Sequence, residues 1–138
     1  MPTFGIFPVP IYSEVLQPSS STKEAMLSYV SAFANKNISG VKDKKQYTFT
    51  GDAHSRFLIH QEPEFQWLNG QIKQAVTEYL SSLNCDVDSL EIYAQKSWPV
   101  VCFPYGGHIE SHVHKNAVLS LVYYLQIPED SVGGRLVL

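Results

Sequence analysis

Apolar side chains recur at helical spacing in two stretches of the chain and fall into short strand-like runs in its last third. Met26, Tyr29, Val30 and Phe33 follow one another at intervals of three and four, the repeat that places side chains on one helix face. Ser21-Thr22-Lys23-Glu24, just ahead of them, has capping-box spacing, so a helix is expected over about 22–35. Phe65, Leu68, Ile72, Val76, Tyr79 and Leu83 form a longer stripe, with Gln66, Lys73, Gln74 and Glu78 on the opposite side. This second helix is the clearest element, and Pro63 suits its first turn.

Between and around these stripes the pattern is less regular. Phe7-Pro8-Val9-Pro10-Ile11-Tyr12 is apolar but interrupted by prolines, which lack an amide donor and confine such a segment to an outer strand or arm. Asn37 to Lys45 reads as a loop, and Tyr47 to His60, containing Gly51-Asp52, as an irregular connection. From Leu90 the runs become short and strand-like: Leu90 to Ala94, Trp98 to Phe103, Val118 to Gln126 and Arg135 to Leu138. Helices first and strands afterwards predict an α+β protein, with helices on one side of a largely antiparallel sheet.

Composition bounds the function. The 138 residues suffice for one domain with a core, and 44% hydrophobic with 17% charged residues is an ordinary globular balance. A net charge of −3 with ten Lys plus Arg offers no basic face for nucleic acid. The one basic cluster, Lys42-Asp43-Lys44-Lys45, reads as a solvated loop. Cys85 and Cys102 are too few for a disulfide framework or a zinc knuckle, so reduced thiols are expected, with Cys102 inert in its apolar run. No signal-peptide pattern opens the sequence and no apolar stretch reaches the length of a membrane span, which together predict a cytoplasmic protein.

The chemistry concentrates in one place. Of five histidines, His108, His112 and His114 lie within seven residues. On an extended strand, side chains two apart share a face, so His112 and His114 can offer both imidazoles to one metal ion. Glu110 falls on the same face, but about 6.5 Å per two residues separates it from His114 by roughly 13 Å on a straight strand, which makes it a fallback ligand only. Trp98 is expected to fill the core. His54 and His60 have no spacing that nominates them.

Trp98 to Phe103, the Pro104-Tyr105-Gly106-Gly107 turn, His112-Val113-His114, Leu119-Ser120-Leu121-Val122-Tyr123-Tyr124-Leu125 and Gly133-Gly134-Arg135-Leu136 form a connected pattern. It resembles the Fe(II)- and 2-oxoglutarate-dependent dioxygenases, in particular a phage and bacterial group related to prolyl hydroxylases. Ile6-Phe7-Pro8-Val9-Pro10-Ile11-Tyr12 and Phe65-Gln66-Trp67-Leu68 are similar to that group as well, although the resemblance is specific only from Ser97 onward.

The resemblance implies a single oxygenase-like domain over 1–138. Helical support over about 1–89 would pack on a partial double-stranded β-helix, or jelly roll, over about 90–138. It implies Fe(II) held by two histidines and a carboxylate, 2-oxoglutarate chelating the metal, and dioxygen as co-substrate. The reaction would hydroxylate a C–H bond of a substrate these residues do not specify, releasing succinate and CO2. Residue by residue, His112 matches the family's first metal histidine, and His114 occupies the slot where many relatives carry an acidic ligand. Tyr124 matches a tyrosine that hydrogen-bonds the distal carboxylate of 2-oxoglutarate, and by alternation it shares a face with Ser120 and Val122. Tyr123 is expected only to pack. Asn116 is a minor polar candidate near the mouth.

The departures matter equally. The family's second metal histidine and its anchoring arginine come after a segment like Gly134-Arg135-Leu136-Val137-Leu138, and Arg135 itself stands too early to be that arginine. The resemblance therefore predicts that these residues are an incomplete version of a longer protein. Two other functions compete. Gly106, five residues, then His112-Val113-His114 satisfies the first half of a cupin-like metal site, but Lys115-Asn116-Ala117-Val118-Leu119 lacks the glutamate it needs next. A non-catalytic jelly-roll module used for binding or structure is the other. Oligomeric state is left open by these residues.

Overall fold

The computed structural model describes residues 9–40, 48–103, 107–110 and 112–128. Its first helix, α1, spans Ser20–Asn37 and starts two residues earlier than the capping-box spacing predicts. Ser19 is the cap, its hydroxyl accepting from the Thr22 amide at 3.1 Å and so satisfying one of the amides a helix start leaves unpaired. The predicted stripe turns inward: Met26 is fully buried, while Tyr29, Val30 and Phe33 are partly buried.

The second helix, α2, spans Gln66–Ser82 and follows directly on a 3-10 turn at Pro63–Phe65, where Pro63 supplies the preset φ of a first turn. Phe65, Leu68 and Val76 are buried as the stripe predicts, Ala75 joins them, and Leu83 at the helix end is exposed. Tyr12 and Tyr79 meet edge to face, and the Tyr79 hydroxyl donates to the Pro10 carbonyl, so residues 9–12 lie along α2. They form an arm; no strand partner engages them among the described residues.

The sheet is small. Strand β1 (Thr48–Thr50) pairs antiparallel with β2 (Val100–Cys102) in the register Thr48↔Cys102, Phe49↔Val101 and Thr50↔Val100. Strand β1 arises in a stretch whose poor alternation predicts irregular structure; three residues are too few to show a period. What holds it is Phe49, fully buried with Ala34 and Ile38 and ringed by Phe33, Val101 and Phe103. A second cluster joins Met26, Ile59, Phe65 and Leu68, with Tyr123 and Leu125 packed against it. Helix α1 thus contributes to both clusters, Met26 to one and Ala34 to the other.

A jelly roll is contradicted. Among the described residues there are two α-helices, four 3-10 turns, and one two-stranded sheet. Of the strand runs expected after Leu90, only the middle of Trp98 to Phe103 enters a ladder. Leu90 to Ala94 and Val118 to Gln126 have no ladder partner among the described residues, and Arg135 to Leu138 lies outside them. β-prone composition describes a side chain's fit to a pleated, half-buried surface, and becomes a strand only where a neighbouring backbone supplies hydrogen bonds. Helices and turns dominate because their bonds are local. No helix is long and apolar enough to cross a membrane among the described residues.

Between the sheet and α2 the chain is fixed by main-chain bonds. Leu58 and Ser97 form an isolated parallel bridge, with the Ser97 amide donating to the Phe57 carbonyl at 2.7 Å. Gly51 lies so close to Pro99 that a Cβ there would fall 2.6 Å from the proline Cδ, while its amide donates to the Pro99 carbonyl at 2.9 Å. These ties set Trp98 two residues ahead of β2, beside His114.

Candidate functional site

His112 and His114 flank Val113 in a stretch without helix or ladder, closed behind by a turn in which the Ala117 amide donates to the His114 carbonyl. Their rings lie against each other. The centroids are 4.8 Å apart with the planes at 80°. Both residues are exposed, so an ion can reach them from solvent.

That separation suits a shared metal. With each donor nitrogen about 1.2 Å from its ring centroid, bonds of about 2.1 Å and an angle of about 90–110° at the metal put two coordinated imidazoles roughly 4.6–5.3 Å apart. The observed centroid spacing lies inside that interval.

The neighbours orient the pair. His112 Nδ1 is 2.8 Å from the Glu110 carbonyl oxygen. A carbonyl only accepts, so this nitrogen carries the proton and Nε2 is left with its lone pair, the arrangement by which metal-binding histidines are commonly held. Trp98 stands on the other side, its ring centroid 5.7 Å from that of His114. It is half-buried, and instead of filling the core as expected it flanks the imidazoles.

The remaining candidates are placed differently. Glu110 reaches the pair through its main-chain carbonyl, and no group of three His, Cys, Asp or Glu able to hold a metal occurs among the described residues. Tyr124 shares the outward side of its segment with Ser120 and Val122, all three exposed, so there is no interior for its phenol to enter. Tyr123 faces the core, where burial raises its pKa. Cys102 is exposed, contrary to the expectation for its apolar run. Arg56, the sole arginine among the described residues, is committed elsewhere: it donates to the Tyr29 hydroxyl and pairs with Glu62. The centroid spacing of the imidazole pair is compatible with two ligands of one ion, while the described residues offer no arginine free to take the distal carboxylate of 2-oxoglutarate.

One association had no signal in the sequence. His60 and Ser97 lie 37 positions apart, and the serine oxygen accepts the His60 amide at 2.9 Å while standing 2.6 Å from His60 Nδ1. The pair borders a cavity of about 50 Å³ beside Ile59, Phe65, Leu68 and Ile72, room for little more than a water molecule. It clamps the 58–61 turn to the segment leading into β2; the hydroxyl is already engaged by both groups of His60.

No family model, curated protein or solved structure matches this chain.

Proposed function

We propose that the chain is an Fe(II)- and 2-oxoglutarate-dependent dioxygenase that hydroxylates its substrate with release of succinate and CO2, with His112 and His114 as two of the iron's ligands. The observation that supports this reading best is the 4.8 Å spacing of the two rings, which suits one metal. The pattern of residues from Ser97 to Leu136 supplies the choice of iron and 2-oxoglutarate.

The chain's own groups have defined parts. The Glu110 carbonyl holds the His112 proton on Nδ1 and turns Nε2 outward. Trp98 backs His114 and restricts its ring. Tyr124 offers a phenol donor from the outward side of its segment to the distal carboxylate of 2-oxoglutarate. Bound iron with 2-oxoglutarate would supply the oxidising power; two protein nitrogens leave coordination positions for both 2-oxoglutarate and dioxygen.

A second reading has its own support. Both rings are exposed and no third ligand joins them among the described residues, which favours a metal-binding module without catalysis. Anaerobic addition of Fe(II) and then 2-oxoglutarate separates the two. An oxygenase develops the visible charge-transfer band of the chelate and forms succinate in air, and His112→Ala loses both. Metal uptake with neither band nor succinate leaves only the binding module, and no uptake removes both readings.

A further inference from the structure

Phe49 fixes β1, since it is fully buried with Ala34 and Ile38 and stands opposite Val101 in the ladder. Successive side chains of a strand point to opposite faces. With Phe49 in the core, Thr48 and Thr50 therefore share the other face, where both are partly buried. Thr48 pairs with Cys102, the last residue of β2. Beyond that residue the chain carries the histidines, and the His108 carbonyl accepts from the Thr48 hydroxyl at 3.0 Å. The two groups are 60 positions apart in the sequence, so this bond fastens the histidine stretch to a strand that the core already holds.

A second contact lies further along the same stretch. His114 stands against Trp98, at 5.7 Å between ring centroids, and Trp98 is two residues ahead of β2. Both sides of the sheet thus touch the part of the chain that carries the imidazoles, β1 at His108 and the approach to β2 at His114. The bonds from His112 Nδ1 to the Glu110 carbonyl and from the Ala117 amide to the His114 carbonyl are local. They shape the stretch without placing it on the rest of the molecule. Placement matters because two ligands held near their bound geometry lose less conformational entropy on taking an ion than two loose ones.

We propose that Thr48 is a positioning residue for the imidazole pair: its hydroxyl, through the His108 carbonyl, holds the histidine stretch on the β1–β2 sheet, and His112 and His114 meet an ion already gathered. This rests on the reading of the pair as metal ligands. It adds to that site a side chain that binds no metal and lies on a different element.

Three substitutions test it. Thr48→Val keeps the β-branched shape and removes the donor, Thr48→Ser keeps the donor, and Thr50→Val makes the same change on the same face of β1. Anaerobic isothermal titration with Co(II) reads affinity, and the 15N heteronuclear NOE of the His112 and His114 amides in the metal-free chain reads mobility. Thr48→Val is expected to weaken Co(II) binding about three- to tenfold, the effect of one hydrogen bond, and to lower both NOE values while leaving those of α1 unchanged. Thr48→Ser and Thr50→Val are expected to bind within about twofold of the unsubstituted chain. Binding by Thr48→Val within twofold, a loss that Thr48→Ser does not restore, a loss shared by Thr50→Val, or unchanged NOE values would each overturn the proposal. An unsubstituted chain that takes up no Co(II), with NOE values that still fall in Thr48→Val, would overturn the metal reading and with it the role given to Thr48, while showing that the tether itself exists.

Discussion

The His112 imidazole is tied to Glu110 through that residue's main-chain carbonyl, at 2.8 Å from Nδ1. This gives Glu110 a part that its side chain does not play. Glu110→Ala keeps the carbonyl and is expected to leave affinity for Fe(II) or Co(II) within about twofold, whereas His112→Ala removes a ligand and is expected to cost tenfold or more. Isothermal titration under anaerobic conditions reads both. A tenfold loss in Glu110→Ala would mean that the carboxylate itself binds the metal.

Trp98 stands close enough to His114 to report on it. With Trp67→Phe leaving a single tryptophan, saturating Co(II) is expected to quench most of the remaining emission, and His114→Ala to abolish the quenching. Quenching that survives His114→Ala would place the ion elsewhere.

Gly51 is required by close packing. Its φ of −67° is open to any residue, but a Cβ would meet Pro99 Cδ at 2.6 Å, and the proline is buried. Gly51→Ala is expected to destabilise the fold by about 1–3 kcal/mol in urea unfolding, through displacement of Pro99 and with it β2. Gly40, with open space around it, provides the control: Gly40→Ala is expected to be near neutral.

The arm at residues 9–12 has an alkaline limit. The Tyr12 phenol donates to Glu78 at 2.8 Å, and this bond, with the nearby carboxylates, raises its pKa to about 12. The unfolded value is about 10, so the neutral phenol's contribution is fully present below about pH 10 and is lost as pH rises through about 12. In a spectrophotometric titration Tyr12 ionises late, and Tyr12→Phe removes that phase while leaving the late ionisation of partly buried Tyr123. A late phase of unchanged amplitude in Tyr12→Phe would show that Tyr12 is not held.

Helices were legible in the sequence because their period is local. Met26 and Leu68 mark the inward faces of α1 and α2 by spacing alone, and only the cap moved, from Ser21 to Ser19. The sheet was not legible. Phe49 and Val101 meet across 52 positions, and nothing in either short run states that it will find the other, whereas Val118 to Gln126 has the stronger strand composition and no ladder among the described residues. The same reasoning divides the candidate site. His112 and His114 come together because two residues span a short distance in almost any extended conformation. The Glu110 carbonyl that holds His112 is also local, two residues away, whereas Trp98 depends on how the chain returns past β2, and the His60–Ser97 clamp depends on the 58–97 bridge.

X-ray absorption at the iron edge of the Fe(II)-loaded chain tests the central claim most directly, since the multiple scattering of imidazole counts the rings on the metal. The account predicts two imidazoles at about 2.1 Å, falling to one in His114→Ala. Iron that shows no imidazole scattering, or a count unchanged by His114→Ala, would contradict it.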